Sequence, residues 1–176
     1  MRSFNKATAT CIFVFLIAID TAFSQSANTN QSVNFMVDEW KRAKEYTKDY
    51  LDAMPEDGYG FKPFPEGRTF AQQFLHLTEA NLRYASLTVG KPDPYPYLKT
   101  LEDDPKMRSK SAVTKITLDG YDFVIEALKS LSPTQLQEKV VLYRWTLTKE
   151  QVYFKAAPGF YTVAYLVVSF AWVSRF

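Results

Sequence analysis

The sequence predicts an all-α fold, a four-helix bundle, and three observations carry the prediction. Apolar residues recur at the spacing of an amphipathic helix in three long segments. Two Thr-x-x-Gln motifs have the form of a capping box, which marks where a helix begins. Connections rich in proline separate the helical segments. With 176 residues, the chain is long enough for one such domain and short for two.

The first helix is predicted over about 35–54. Trp40 lies on its apolar stripe, and charged residues occupy the opposite face. The helix should end before Pro55, because the residue that precedes a proline avoids the helical conformation. Three prolines and three glycines then mark 55–67 as a loop.

The second helix begins at Thr69, whose hydroxyl can form a capping box with Gln72. Its inward stripe consists of Phe70, Phe74, Leu77, Asn81 and Tyr84. His76, the only histidine of the chain, lies at the flank of that stripe. Glu79 follows one turn later but points about 60° away on the helical wheel, so the sequence names no partner for the imidazole.

A long connection over 90–110 separates the second helix from the third. It contains four prolines and the acidic run 102–104, and it has no apolar periodicity. These features predict a surface connection. The third helix is predicted over 111–131, where a strong apolar stripe ends at Ser132 and Pro133.

The segment 139–147 is rich in β-branched and aromatic residues, which predicts a short extended hook before the fourth helix. Thr148 with Gln151 forms the second capping box and starts that helix. The helix should end near Ala156, because Pro158 removes an amide donor and clashes with the preceding turn.

The chain accordingly divides into four parts. They are a signal peptide at 1–24, a flexible leader at 25–34, the helical bundle at 35–157 and an apolar tail at 158–176. The tail has Arg175 as its single charge and lacks helix caps and turn signals. It departs in character from everything before it.

The first part has the features of a cleaved secretory signal. Arg2 and Lys6 precede the apolar run 11–19, and small residues stand before a cleavage point ahead of Gln25. The run is much shorter than the roughly 20 residues that span a bilayer. We expect an exported protein, periplasmic or secreted, with no stable membrane span after cleavage. Cleavage also removes Cys11, the only cysteine, which excludes disulfides, a cysteine nucleophile and zinc–thiolate sites.

Charge and aromatic content narrow the function further. The formal net charge is +2, and no basic stripe alternates with stacking aromatics, so nucleic acid is not an expected partner. The aromatic side chains, Trp40 and Trp145 among them, are expected in the core rather than around a ligand.

Several short motifs stand in a fixed order along the chain. They are 50–57 (YLDAMPED), Tyr59, 61–63 (FKP), 68–73 (RTFAQQ), His76 and 146–149 (TLTK). In this order and spacing they resemble the DinB-like (DinB/YfiT) superfamily of bacterial four-helix metalloproteins. The resemblance extends from about residue 35 to residue 156.

The resemblance implies a metal site. In that family the histidine of the second helix is one of three metal ligands, and the other two lie one turn apart on the fourth helix. His76 would therefore be a ligand of a divalent metal such as zinc, nickel, iron or manganese. The family includes thiol transferases and hydrolases, which implies a metal-dependent transferase or hydrolase acting on a small molecule of unknown identity. Homodimers are also common among similar bundles.

The expected histidine pair is absent from this chain. The corresponding positions, 157–165, read APGFYTVAY. Codons for 161–164 can be written so that a shifted frame spells His-Arg-Gly, a family motif. Three hypotheses stay open: an exported metal-dependent enzyme with His76 as one ligand and a different C-terminus, a metal-free and non-catalytic helical module, or the product of a frameshift or truncation.

Overall fold

The computed structural model describes residues 32–96 and 102–156, and these residues form a mostly helical domain. The predicted signal peptide, most of the predicted leader and the predicted apolar tail lie outside the described residues. None of the described helices is long and apolar enough to cross a membrane.

Helix α1 covers 32–53, so it is already helical at residue 32, ahead of the predicted start at residue 35. Two contacts explain the difference. The Ser32 hydroxyl donates to Glu150 Oε1 at 2.8 Å, and Val33 packs against the core. The last residues of the predicted leader are therefore part of the bundle.

Helix α2 is Phe70–Val89, and its predicted capping box is confirmed. The Thr69 hydroxyl accepts from the Gln72 amide at 3.1 Å, and Gln72 Oε1 accepts from the Thr69 amide at 2.9 Å. Gly90 ends the helix with φ 66°, a left-handed conformation that glycine adopts without steric cost. The predicted start of the helix that carries His76 is confirmed, and its last residue, Val89, lies directly before the predicted connection.

Helix α3 is Lys110–Lys129 and lies against α2. Gly120 sits at the closest approach, where an added Cβ would lie 2.6 Å from Thr78 Cγ2. A larger residue at position 120 would therefore require the Thr78 side chain or one of the two helices to shift.

After α3 comes a one-turn helix, α4 (Pro133–Leu136), and then two antiparallel strands. Strands β1 (Lys139–Leu142) and β2 (Trp145–Thr148) form a hairpin with Leu142 opposite Trp145. The predicted extended hook is thus a two-stranded hairpin. Helix α5 follows, described over 149–156.

All four long helical segments contribute to one core cluster. Its members include Met36 and Trp40 of α1, Ala85 of α2, Leu128 of α3 and Tyr153 of α5. This arrangement is the one expected for a four-helix bundle. A second cluster lies beneath the first half of α2 and contains Leu51, Tyr59, Phe70, Phe74 and Val113.

Three pairs of hydroxyl groups lie between the helices, and we call them the closed hydroxyl pairs. They are Thr47 with Tyr121 at 2.9 Å, Thr88 with Tyr153 at 2.7 Å, and Thr78 with Thr117 at 3.3 Å. Burial raises the pKa of Tyr153 to about 12, although its hydrogen bond with Thr88 acts in the opposite direction. The pairs are neutral and buried, and each hydroxyl has a partner.

One expectation from the sequence is corrected. Trp145 is 44% exposed rather than in the core, and it lies beneath the Lys155 ammonium and the Arg144 guanidinium. The connection after Gly90 was predicted to lie on the surface, and its described residues are exposed or half-buried except Glu102, which is 9% exposed. The connection folds back because Arg68, Gln72 and Arg108 all bind Glu102.

Candidate metal centre

His76 lies on the second turn of α2, and its side chain is 47% exposed. Two carboxylates face its Nδ1 atom. Glu102 Oε1 lies 3.2 Å away, and Glu79 Oε2 lies 3.9 Å away. Donor atoms of the three residues all fall within 4.8 Å of one another, so they form the carboxylate–imidazole cluster of this fold.

Glu79 reaches the imidazole although the helical wheel separates the two residues by about 60°. Its side chain has enough length to cross that angle, and it is almost fully buried. Arg83, one turn further along α2, donates from Nη2 to Glu79 Oε1. One carboxylate oxygen is therefore occupied by arginine, while the other faces His76.

Glu102 is held in place through both its backbone and its side chain. Its carbonyl oxygen accepts from Gln72 Nε2 at 3.2 Å and from Arg108 Nε at 3.3 Å. Its Oε2 accepts from Arg68 Nε at 3.2 Å. The first turn of α2 and the end of the 90–110 connection are thus joined through this residue.

The Glu102 Oε1 atom is the exception in this network. It is buried and has no hydrogen-bond partner among the described residues. The nearest group that faces it is His76 Nδ1, at 3.2 Å. A buried, unsatisfied polar atom costs free energy. Ser86 Oγ and Thr114 Oγ1 are in the same situation among the described residues, but Glu102 Oε1 is the carboxylate oxygen of the three and lies beside an imidazole, which makes it a candidate metal ligand.

Glu79 and Glu102 share a pattern. Each places one oxygen against an arginine and turns the other towards the same imidazole nitrogen. Such a division leaves one free donor atom on each carboxylate. The two arginines also fix the orientation of both carboxylates, as the hydrogen-bonding partners of metal ligands do.

The donor set fits a divalent metal. Imidazole nitrogen with carboxylate oxygen is a combination that zinc, iron and manganese accept. Two ligands at about 2.1 Å from one ion lie about 3.0–3.4 Å apart, depending on geometry. The distance of 3.2 Å between His76 Nδ1 and Glu102 Oε1 lies in that range. Glu79 Oε2, at 3.9 Å, would need only a small shift of a long side chain.

A protein-family model described as the DinB superfamily matches residues 39–154, from α1 to α5. The chain belongs to the DinB superfamily. No curated protein matches the chain. The match confirms the family that the ordered motifs indicated.

Of the metal ligands that the resemblance implied for this DinB-superfamily protein, His76 lies among the described residues. The positions 157–165, where the resemblance puts the other two histidines, lie outside the described residues. Glu79 and Glu102 were not identified as partners of His76. The wheel argument placed Glu79 too far away, and Glu102 stands in a segment without periodicity. The acidic run at 102–104 was visible, but nothing in the sequence showed that it folds onto α2.

Proposed function

We propose that this DinB-superfamily protein binds one divalent transition-metal ion through His76, Glu79 and Glu102. We propose further that it is a transferase or hydrolase that acts on a small molecule. The observation that carries the proposal is the buried, unsatisfied Glu102 Oε1 atom, which lies 3.2 Å from His76 Nδ1. The half-exposed imidazole leaves the cluster open to solvent, so that a substrate could reach it.

The residues of the chain have distinct roles in this proposal. His76, Glu79 and Glu102 hold the ion, and Arg68 and Arg83 orient the two carboxylates. A divalent ion held there supplies a Lewis acid, which can polarise a carbonyl or phosphoryl oxygen and favour its attack. The buried aromatic cluster beneath α2, which contains Phe70 and Phe74, gives the ligand-bearing helix a rigid support.

One observation favours the second hypothesis, a metal-free module. Arg68 and Arg83 already neutralise the two carboxylates, so the cluster can persist without an ion. The third hypothesis, a frameshift, is tested separately by the nucleotide sequence of the gene from the Lys149 codon to beyond the Phe176 codon. Export also stays a prediction, which N-terminal sequencing of the exported protein would check.

Metal titration of the full chain tests the proposal. We expect one equivalent of Zn²⁺ or Co²⁺ by calorimetry, with a Co²⁺ absorption band that reports the ligand set. His76→Ala and Glu102→Gln should each weaken binding by more than about tenfold, because each removes a ligand. Glu138→Gln is the matched control, since Glu138 also pairs with a cation, Lys149, but lies on the surface away from His76.

The control also defines the result that would overturn the proposal. If Glu102→Gln and Glu138→Gln bind Co²⁺ equally well, the cluster is not the site. If the unmodified chain binds no ion at micromolar protein concentration, the metal-free module is the better description.

A further inference from the structure

Arg83 lies at the edge of the carboxylate–imidazole cluster, between α2 and the hairpin. Its Nη2 donates to Glu79 Oε1, and its Nη1 donates to the Tyr143 hydroxyl at 3.3 Å. The side chain is 49% exposed, so the guanidinium remains accessible. Arg83 therefore connects a proposed metal ligand to the tip of the β1–β2 hairpin.

Tyr143 has a backbone conformation that needs an explanation. It is the first of two turn residues between β1 and β2, and its φ is 55°. Glycine or asparagine is the usual residue there, since a bulky side chain in the left-handed region is strained. The ring is 66% exposed, so burial of apolar surface does not compensate for the strain. The position sets the Tyr143 hydroxyl beside two side chains of α2, Arg83 and Tyr84, and it has a side-chain hydrogen bond with each.

Charge gives the second argument. Within the cluster, the carboxylates of Glu79 and Glu102 are already balanced by Arg83 and Arg68. A bound divalent ion therefore leaves the site with an excess of positive charge, and the local field favours an anion. A guanidinium group is also a donor that binds two oxygens of a carboxylate or a phosphate at once.

We propose that Arg83 and Tyr143 form an anion-binding edge of this site and hold a carboxylate or phosphate group of the small-molecule substrate. This inference rests on the proposed metal-binding function and specifies its substrate class. Arg83 binds the anion through its exposed N–H groups. Tyr143 positions the guanidinium and adds an O–H donor. The strained turn is maintained because it brings that hydroxyl group to α2.

The test uses the full chain loaded with Zn²⁺ and two probes, inorganic phosphate and acetate, titrated at low ionic strength. The two probes distinguish a phosphate group from a carboxylate group as the preferred ligand. We expect Arg83→Gln to weaken binding of the preferred probe at least tenfold, and Tyr143→Phe to weaken it about threefold. Arg42→Gln should change nothing, because Arg42 makes a similar contact with Glu39 on α1.

Tyr143→Gly separates binding from folding. Glycine relieves the strained conformation, so its thermal midpoint should rise, while its affinity for the anion falls at least as far as that of Tyr143→Phe. A loss of anion binding with a raised midpoint cannot be attributed to unfolding. This variant keeps the test decisive even if Arg83→Gln is poorly folded.

Zn²⁺ binding is measured first for every variant, so the two proposals fail in different ways. If the chain binds no Zn²⁺, the metal-binding function is wrong, and the anion edge is wrong with it. If Zn²⁺ binds but Arg83→Gln and Arg42→Gln have the same affinity for phosphate and acetate, only the anion-binding edge is overturned. The same conclusion follows if the loaded chain binds neither probe.

Discussion

Helix α2 carries polar groups of two kinds, and they differ in how completely they are satisfied. Thr78 and Thr88 belong to closed hydroxyl pairs, in which each neutral buried group meets a partner on another helix. His76 and Glu79 belong to the carboxylate–imidazole cluster, in which a buried oxygen of Glu102 has no hydrogen-bond partner among the described residues. Satisfied polar groups hold the helices together. Ser86 Oγ, also on α2, is buried without a hydrogen-bond partner in the described part of the chain too, so it is the grouping of an imidazole with two carboxylates within 4.8 Å that points to a ligand.

Alkaline pH should break the closed hydroxyl pair of Thr88 with Tyr153. The pKa of Tyr153 is raised from about 10 to about 12, mainly by burial. Below pH 10 the folded and unfolded chains both keep the proton, and the full stability is present. Between pH 10 and 12 only the unfolded chain loses it, so Tyr153 by itself should lower the free energy of unfolding by about 3 kcal/mol. Buried Tyr121, whose pKa is also raised by burial, adds to the fall in both the unmodified chain and the control.

Urea unfolding across this pH range measures the loss. Tyr153→Phe is the control, since phenylalanine has no proton to lose and its stability should decline less steeply. Equal slopes for the two proteins would show that Tyr153 does not govern the alkaline transition.

Thr88→Val should break the same pair at neutral pH. Because the Thr88 hydroxyl donates to the Ala85 carbonyl, the Tyr153 hydroxyl must be the donor to Thr88. Valine leaves that buried donor unsatisfied, and we expect a loss of about 2 kcal/mol in the free energy of unfolding. Metal affinity should not change.

A double variant sharpens this prediction. Thr88→Val with Tyr153→Phe removes both partners, so it should recover most of the loss. A double-mutant cycle by urea unfolding measures the coupling. A double variant that is as unstable as the sum of the single variants would show that the hydroxyl pair contributes nothing.

Of these changes, Glu102→Gln should have the smallest effect on the free energy of unfolding, and it should raise that free energy rather than lower it. A glutamine can accept from Arg68 through its carbonyl and donate to His76 Nδ1 through its amide, which closes the open cluster. We expect the metal-free variant to equal the unmodified chain or to exceed it by up to about 0.5 kcal/mol, measured by urea unfolding. A clear destabilisation would mean that Glu102 serves the fold, not a ligand.

The sequence predicted helices where local signals were strong. The apolar stripe around Phe70 and Phe74, and the capping box of Thr69 with Gln72, placed α2 correctly because both signals act within a few residues. The hairpin was only partly predicted. The turn residues are Tyr143 and Arg144, whereas the sequence signal for such a turn is Asn-Gly or Asp-Gly.

The candidate site was predicted for one residue of three. His76 was found from the family motif, which is a local pattern. Glu102 comes from a connection whose path depends on contacts with Arg68, Gln72 and Arg108, and contacts across such sequence distances leave no periodic trace. Glu79 was missed because a wheel describes Cβ directions and not the reach of a long side chain.

The contact of α2 with α3 at Gly120 bears on where the proposed ligands of α2 lie along the neighbouring helix. Thr78, which an added Cβ at Gly120 would meet at 2.6 Å, stands between His76 and Glu79 in the sequence. Because the two helices are this close here, a shift of α2 against α3 would move the two donor atoms on α2 relative to Glu102 on the connection. A larger residue at position 120 would therefore change metal affinity from the far side of the helix, without touching any ligand.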